Sequence, residues 1–307
     1  MVEKAGRSPD VSLRTWPTNE ATTTSTPESA PSSNVPSDAV SSFERNPTAS
    51  PSAILNGGVR TAALLPGLLP DRPEAARATI QNHNLAGSVR AHALNQLEQR
   101  GKIRIGIIDN FDRSQTNHGH NVEDRLKAAL PSYLQDKVEF VRFDTSRGTN
   151  QAIADAVKAG WQKDIVALSV SGGLEAVNAQ NIANAIGDNT IHSGNRDQAF
   201  RQSLDNLRSR PDHAEISRNM IGLSNISKVI PTVTPVWNDG NTTPAALGEN
   251  VIVTSIEEIG NDTRRTELPG IVDFHAPKLF GNDFTSQSAP YFIGQMLGAL
   301  ISRDDVR

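Results

Sequence analysis

Short apolar runs alternate with segments of helical periodicity from residue 101 onward, and this alternation constrains the fold more than any other feature of the chain. The first three runs span residues 103–108, 138–143 and 165–170, and helical segments near 122–130 and 150–159 lie between them. Short apolar runs separated by helical segments are typical of βαβ units, in which a parallel sheet is covered on both faces. The predicted fold class is therefore α/β, a three-layer sandwich with a mostly parallel central sheet.

The same pattern continues to the end of the chain. It predicts further elements in this order: helices over residues 174–186, 198–207 and 214–226, strands over 228–235, 251–256 and 271–274, and a final apolar helix after Ser286. A domain over residues 101–307 is long enough to bury a substantial hydrophobic core.

The first 100 residues have a different composition. Ser, Thr and Pro account for 25 of the first 52 residues, and large apolar residues are few. Such a segment buries too little apolar surface to offset the entropy of ordering the chain, so residues 1–52 are predicted to be disordered. Residues 53–100 are predicted to form a helical N-terminal extension, with two short helices broken near residues 84–87.

Charge and composition argue against several classes of function. The chain carries 30 basic and 34 acidic side chains, and a formal net charge of −4 does not favour nucleic acid or an anionic membrane as a partner. It contains no cysteine, which excludes disulfides, thiolate nucleophiles and cysteine-bound metals. No apolar run approaches the roughly 18 residues that span a bilayer. We therefore expect neither a nucleic-acid partner nor a membrane segment.

The N-terminal composition bears on location. The first residues lack the apolar stretch of a Sec signal peptide. A start rich in Ser, Thr and Pro is similar in composition to the secretion leaders of bacterial proteins that are injected into host cells. The expected location is either the cytoplasm or outside the cell after export by a Sec-independent bacterial system. Composition does not decide between the two, and it leaves the oligomeric state open.

Four polar residues follow predicted strands or begin predicted helices. Asp109 ends the first strand, His118 precedes the next helix, Asn238 follows a later strand, and Ser286 precedes the final helix. Functional side chains gather at the carboxyl ends of parallel strands, so we expect these four to lie close together. A structural interpretation also exists, because Asp109 is suited to a turn or helix cap and residues 238–240 have strong turn chemistry.

Together the four residues have the chemistry of acyl transfer. A serine is a poor nucleophile unless an adjacent imidazole accepts its proton, and the imidazole needs a carboxylate to fix its tautomer. The tetrahedral intermediate also needs fixed donors for its oxygen. The sequence therefore predicts a triad of Asp109, His118 and Ser286, with the side-chain amide of Asn238 as an oxyanion donor.

The motifs around these residues resemble those of the subtilisin-like serine peptidases. Asp109 ends IRIGIID, where the family has V-x-V-x-I-I-D, and His118 begins HGHNV, where the family has H-G-x-x-V. Asn238 lies in WNDGNTTPA, and Ser286 lies in TSQSAPYFIG, which is similar to the family's T-S-x-x-x-P-x-x-x-G. The resemblance covers about residues 102–301. It implies a subtilisin-like fold and a serine endopeptidase that acts on a protein or peptide substrate without a cofactor.

Two further segments support the resemblance. VDFHAP, residues 272–277, is similar to the strand and Ala-Pro that precede the serine loop in the family. ALSVSGG, residues 167–173, is similar to the strand that pairs with the substrate backbone. The resemblance implies that substrate binding involves four consecutive residues of this segment: Ser169, Val170, Ser171 and Gly172.

The chain departs from the family pattern at several places, and these departures support a second interpretation. Asn110-Phe111 replaces Ser/Thr-Gly after the aspartate, and the spacing from aspartate to histidine is short. Ser171 replaces a glycine of the substrate strand, and Phe284 replaces the glycine before Thr-Ser. The alternative function is therefore a catalytically inactive member of the fold that binds a peptide or partner protein.

A metal-dependent hydrolase is the third interpretation. Histidine and acidic side chains at short helical spacing suit a divalent metal. The candidate ligands are His118, His120, Asp124, His192, His213 and His275. The chain contains no H-E-x-x-H motif, however, and a metal site leaves the serine segment without a role.

Overall fold

The structure is a computed structural model that describes residues 71–172, 174–236, 241–257, 268, 270–277 and 285–307. Three sequence predictions lie outside these residues: the disordered tail over 1–52, the role of Asn238 and the position of Phe284. The helical extension predicted over residues 53–100 is described from Asp71 onward.

Helices and strands alternate along most of the described chain. The α-helices are α1 (Pro73–Asn82), α2 (Ala86–Arg100), α3 (His118–Ala129), α4 (Thr149–Trp161), α5 (Ala179–Ala185), α6 (Arg196–Asp205), α7 (His213–Ile226), α8 (Pro244–Leu247) and α9 (Ser288–Leu300). The strands are β1 (Ile103–Asp109), β2 (Val138–Asp144), β3 (Ala167–Val170), β4 (Val177–Asn178), β5 (Thr232–Pro235), β6 (Asn241–Thr242), β7 (Ile252–Ile256) and β8 (Phe274–Ala276). Short 3-10 turns lie at Ser132–Leu134, Thr145–Arg147, Thr285–Gln287 and Asp304–Val306.

Six of the described strands form one sheet. Their order is β2-β1-β3-β5-β7-β8, and each neighbouring pair is parallel. The other two, β4 and β6, form a separate antiparallel pair. The prediction of an α/β fold with a parallel central sheet and helices on both faces is confirmed.

The direction of strand addition reverses beside β1. The chain passes from β1 through α3 to β2, and then returns through α4 to β3 on the other side of β1. In parallel sheets a crevice opens at such a reversal, outside the carboxyl ends of the strands, and ligands bind there. Asp109 is the last residue of β1, so the topology places it at this crevice.

At the centre of the sheet both faces are buried, because β1 and β3 are apolar on both sides. Ile107 packs in the core formed with α1, α2, α3 and α9, whereas Ile108 packs in the core formed with α4 to α8. Gly106 lies at a tightly packed point of β1, since a Cβ there would lie 2.9 Å from side-chain atoms of Leu168 and Phe143. Each fully buried Ile side chain contributes roughly 1.5–3 kcal/mol.

The helices α1 and α2 share a core with α9. The predicted pair of helices is present, and Ile80 and Val89 bury their side chains in that core. The backbone N–H of Arg72 donates to Gln295 Oε1 at 2.6 Å, and Gln295 Nε2 donates to the carbonyl of Ala129 at 3.0 Å. These bonds connect the start of α1, the middle of α9 and the end of α3.

The helix predicted over residues 174–186 is a partial error. Residues Val177–Asn178 form β4 opposite β6, and the helix α5 begins only at Ala179. The reason is the cap, because the Asn178 side chain accepts a hydrogen bond from the N–H of Asn181 at 2.9 Å. An asparagine in this geometry ends the strand and satisfies a free N–H of the first helical turn.

Three strands also begin later than predicted. β3 begins at Ala167, β5 at Thr232 and β8 at Phe274, two to four residues beyond the predicted starts. Before β5 the apolar residues belong to a turn, since the N–H groups of Val229 and Ile230 both donate to the carbonyl that ends α7. Apolar residues in such a turn have the same composition as a strand, so the pattern overestimated its length.

Candidate active site

Asp109 occupies a buried position at the end of β1. Its side chain is 1% exposed. Oδ1 accepts a hydrogen bond from the backbone N–H of Asn110 at 2.7 Å. Gly172, just beyond β3, faces the carboxylate so closely that a Cβ there would lie 2.8 Å from Oδ1. A buried carboxylate needs hydrogen-bond donors. Besides the N–H of Asn110, a histidine of α3 donates to Asp109.

His118 is the first residue of α3 and supplies that donor. Its Nδ1 lies 2.9 Å from Asp109 Oδ1 and 2.8 Å from Oδ2. The Thr116 hydroxyl accepts the backbone N–H of His118 at 3.1 Å and so satisfies a free N–H at the start of the helix. Because an ionised carboxylate can only accept, the proton is on Nδ1, and Nε2 of the neutral ring is left as an acceptor.

Ser286 lies in the 3-10 turn directly before α9. Its Oγ is 2.8 Å from His118 Nε2, across 168 positions of sequence. With Nδ1 protonated, the hydroxyl donates to Nε2. The structure therefore brings Asp109, His118 and Ser286 into one continuous chain of hydrogen bonds.

The turn that carries Ser286 is anchored by two buried hydroxyls. Ser288 Oγ donates to the carbonyl of Thr285 at 2.6 Å and lies 2.8 Å from Thr254 Oγ1 of β7. The side chains of Thr254 and Ser288 are both fully buried. Pro290 is in the first turn of α9, where it replaces an N–H that has no intrahelical partner, so the helix continues without a break.

The electrostatics of the site favour a protonated imidazole. The hydrogen bond to Asp109 raises the pKa of His118 above its ordinary value of 6.5, while burial opposes this shift. The His118 side chain is 34% exposed, so solvent reaches the ring. The neutral ring that can accept a proton from Ser286 therefore predominates only above the raised pKa.

The four predicted substrate-pairing residues divide into two pairs. Ser169 and Val170 are buried in β3, and Ser169 has strand neighbours on both sides. Ser171 and Gly172 continue beyond the strand, where the N–H of Ser171 donates to the carbonyl of Ile108 at 3.2 Å. The hydroxyls of Ser169 and Ser171 lie 2.8 Å apart. The segment beyond β3, beside Asp109, is thus the part that borders the crevice.

Two of the candidate metal ligands, His118 and His120, face different partners. His118 faces Asp109 and Ser286, whereas His120 Nε2 lies 3.2 Å from Arg113 Nε, which donates to it. The other candidate ligands lie apart from this pair: Asp124 on the exposed side of α3, His192 before α6, His213 at the start of α7 and His275 in β8. Within the described ranges, no group of three or more His, Cys, Asp or Glu side chains is placed to hold a metal.

Sequence reasoning missed the residues that hold the triad in place. The N–H of Phe111 donates at 3.0 Å to Oδ1 of Asp144, which is the register partner of Asp109 at the end of β2. Asp144 carries a recognisable signal, because it ends a predicted strand as Asp109 does. Thr254 and Ser288 carry no such sequence signal, since their contact depends on how β7 and α9 pack.

Comparison of the chain with protein-family models, with curated proteins and with solved structures finds no match. The assignment of function therefore depends on the geometry of the site and on its motifs. Among the helices in the described ranges, none has the length and apolar character needed to cross a membrane.

Proposed function

We propose that the protein is a subtilisin-like serine endopeptidase that hydrolyses peptide bonds through an acyl-enzyme. The observation that carries the proposal is the hydrogen-bonded chain from Asp109 through His118 to Ser286, with distances of 2.8 to 2.9 Å. The order of the three residues supports the subtilisin-like type, because α/β-hydrolases have the serine first in the chain. The mechanism needs no cofactor.

Acylation begins when Ser286 Oγ attacks the carbonyl carbon of the scissile peptide bond. His118 Nε2 accepts the hydroxyl proton as the new C–O bond forms. Asp109 stabilises the resulting imidazolium through its hydrogen bond to Nδ1. When the tetrahedral intermediate collapses, the C–N bond breaks and His118 returns the proton to the leaving amine.

Deacylation repeats these steps with water. The water takes the place of the departed amine beside His118, loses a proton to Nε2 and attacks the ester carbon. Collapse of the second intermediate releases the acid product and returns the proton to Ser286. The His118 side chain is 34% exposed, so water has access to the ring.

The oxyanion needs donors that are fixed before the reaction starts. The N–H of Ser286 lies at the N-terminal end of α9, a helix of 13 residues, where the helix dipole favours negative charge. The motif assigns the second donor to the side-chain amide of Asn238, which lies outside the described residues. One such donor contributes roughly 3–4 kcal/mol to transition-state stabilisation.

The substrate is a protein or peptide in extended conformation. Ser171 and Gly172 lie beyond β3 and beside Asp109, so a chain that passes along this segment presents its carbonyl to the triad. Buried Ser169 and Val170 support the segment from within the sheet.

A proteome-derived peptide library tests the proposal. The full-length protein should generate new peptide termini, Ser286→Ala should generate none, and chelator should have no effect. Ser302→Ala is the matched control, because Ser302 is exposed and bonds only locally to Asp305 in the described structure. Cleavage that persists in Ser286→Ala, or a folded protein that cleaves nothing but binds peptides, would favour the inactive alternative or another site.

A further inference from the structure

The connection between β1 and α3 is short for the change of direction that it makes. Asp109 and His118 are nine positions apart, yet the chain must leave the sheet and begin a helix with the imidazole facing back. Phe111 is the second residue of this connection. It stands where the resembled family has a glycine, so nothing in the motif predicts a role for it.

On one side the ring of Phe111 contacts the first turn of α3. The helix brings Gly119 so close that a Cβ there would lie 2.9 Å from two ring carbons. The N–H of Gly119 donates to the carbonyl of Asn110 at 3.1 Å. The next residue, His120, meets the ring edge-on, with centroids 5.7 Å apart and planes at 87°. The two residues that follow His118 therefore both pack against Phe111.

On the other side Phe111 is fixed to β2. The guanidinium of Arg142 lies over the ring, 5.2 Å from its centroid. Arg142 is itself held by Glu123 through two hydrogen bonds of 2.6 Å, and Glu123 is a buried residue of α3. The backbone N–H of Phe111 donates to Asp144. The half-buried ring thus lies between the strand that neighbours β1 and the helix that carries the histidine.

We propose that Phe111 is a positioning residue, whose ring sets the first turn of α3 so that the His118 imidazole meets Asp109 and Ser286 together. This inference rests on the proposed function, since positioning matters for catalysis only if the triad is catalytic. Gly119 has no side chain to fill the space and the connection is short, so the ring is the group that fixes the distance between strand and helix. A misplacement of about 1 Å in such a site costs up to roughly 10²-fold in rate.

The test uses Phe111→Leu and Phe111→Ala, with Phe140→Ala as the matched control. Phe140 is a half-buried aromatic residue of β2 that packs against the same core as Phe111. Two readouts separate positioning from stability: the pKa of His118 from NMR titration, with its signals assigned by His118→Gln, and the pH profile of labelling by a fluorophosphonate probe. A thermal melt of each variant confirms that it is folded.

We expect both Phe111 variants to lower the pKa of His118 toward 6.5, because the ring no longer holds the imidazole against Asp109. Labelling at pH 8 should slow by about 10–100-fold in Phe111→Ala and less in Phe111→Leu. Phe140→Ala should lower the melting temperature while leaving the pKa and the labelling rate near wild type. An unchanged His118 pKa in folded Phe111→Ala, or an equal loss of rate in the control, overturns the proposal.

The two proposals fail in different ways. If the wild-type protein takes up no probe, the proposed function fails, and the NMR titration still decides whether Phe111 positions His118. If the wild type is labelled at Ser286 but the Phe111 variants match it in pKa and rate, only the positioning role fails. Should Phe111→Ala not fold, Phe111→Leu provides both readouts.

Discussion

The two halves of the candidate site are built in different ways. The Asp109–His118 half comes from consecutive elements only nine positions apart and is enclosed by Phe111 and its neighbours. In the serine half, Ser286 lies 168 positions after His118 in the sequence, on a turn anchored by the buried hydroxyls of Thr254 and Ser288. One half is built by a local connection, and the other by the packing of α9, which lies on the same face of the sheet as α3.

The difference separates two properties of the site. The first half sets how strongly the imidazole holds a proton, because Asp109 raises the pKa of His118. The second half sets where the Ser286 oxygen lies relative to Nε2, with no charged group involved. Damage to the first half should therefore change the pH profile as well as the rate, whereas damage to the second should change the rate alone.

Removal of the general base has the largest expected effect. His118→Ala should reduce peptide hydrolysis by roughly 10⁶-fold, a loss typical of triads that lose their histidine. Steady-state hydrolysis by purified protein measures it. His213→Ala is the control, since His213 lies at the start of α7, and its activity should match wild type. Equal losses in the two variants would point to the metal-dependent interpretation.

Asp109→Asn should reduce kcat by about 10⁴-fold, because an amide can hold the wrong tautomer of His118. The same substitution at Asp112 is a close control. Asp112 is a half-buried residue at the start of a nearby turn, where its side chain accepts hydrogen bonds from Ser114. Normal kcat in Asp109→Asn together with a loss in Asp112→Asn would reassign the carboxylate of the triad.

Thr254→Val tests the serine half. It removes the hydroxyl that lies 2.8 Å from Ser288 Oγ, and we expect roughly tenfold slower hydrolysis with an unchanged pH midpoint. Loss of the hydrogen bond should also cost about 1 kcal/mol of stability.

Thr232→Val is the matched control for this variant. Thr232 is equally buried on the neighbouring strand, and its hydroxyl has no hydrogen-bond partner within the described residues. Thr232→Val should hydrolyse peptides at the same rate as the wild type. If the pH midpoint moves in Thr254→Val, the separation between the two halves is wrong.

The smallest expected effect is on stability as a function of pH. The pKa of His118 is higher in the folded protein than its ordinary value of 6.5, so its protonation stabilises the fold fully below pH 6.5. This contribution disappears as pH rises through the folded-state pKa. His118→Gln should therefore lower the melting temperature more at pH 5.5 than at pH 9, by about 1–2 °C. A larger loss at pH 9 would contradict the assigned direction.

The sequence predicted the architecture because its signals are periodic and local. Apolar runs such as residues 103–108 identify strands, and the residue that ends a run identifies the carboxyl edge of the sheet. Asp109 and His118 could therefore be identified from the sequence alone. The helix expected over residues 174–186 was placed too early, because a single capping residue, Asn178, decides where it begins.

The contacts that support the site could not be predicted from the sequence. The pairing of Thr254 with Ser288 requires β7 and α9 to meet in one register, and no spacing in the sequence encodes that register. The packing of Phe111 requires Arg142 from a neighbouring strand, placed over the ring by Glu123. Such contacts follow from the packing of whole elements.

Labelling with a fluorophosphonate probe tests the central claim most directly. An ordinary serine hydroxyl does not react at a useful rate, so an adduct reports a general base beside one hydroxyl and donors for the phosphoryl oxygen. Mass spectrometry of the full-length protein should find the adduct on Ser286 alone, and it should be lost in Ser286→Ala and His118→Ala. The adduct should persist in Ser288→Ala, because the hydroxyl that this substitution removes is buried and bonds to Thr285 and Thr254. An adduct on another serine, or none on folded protein at high probe concentration, would contradict the account.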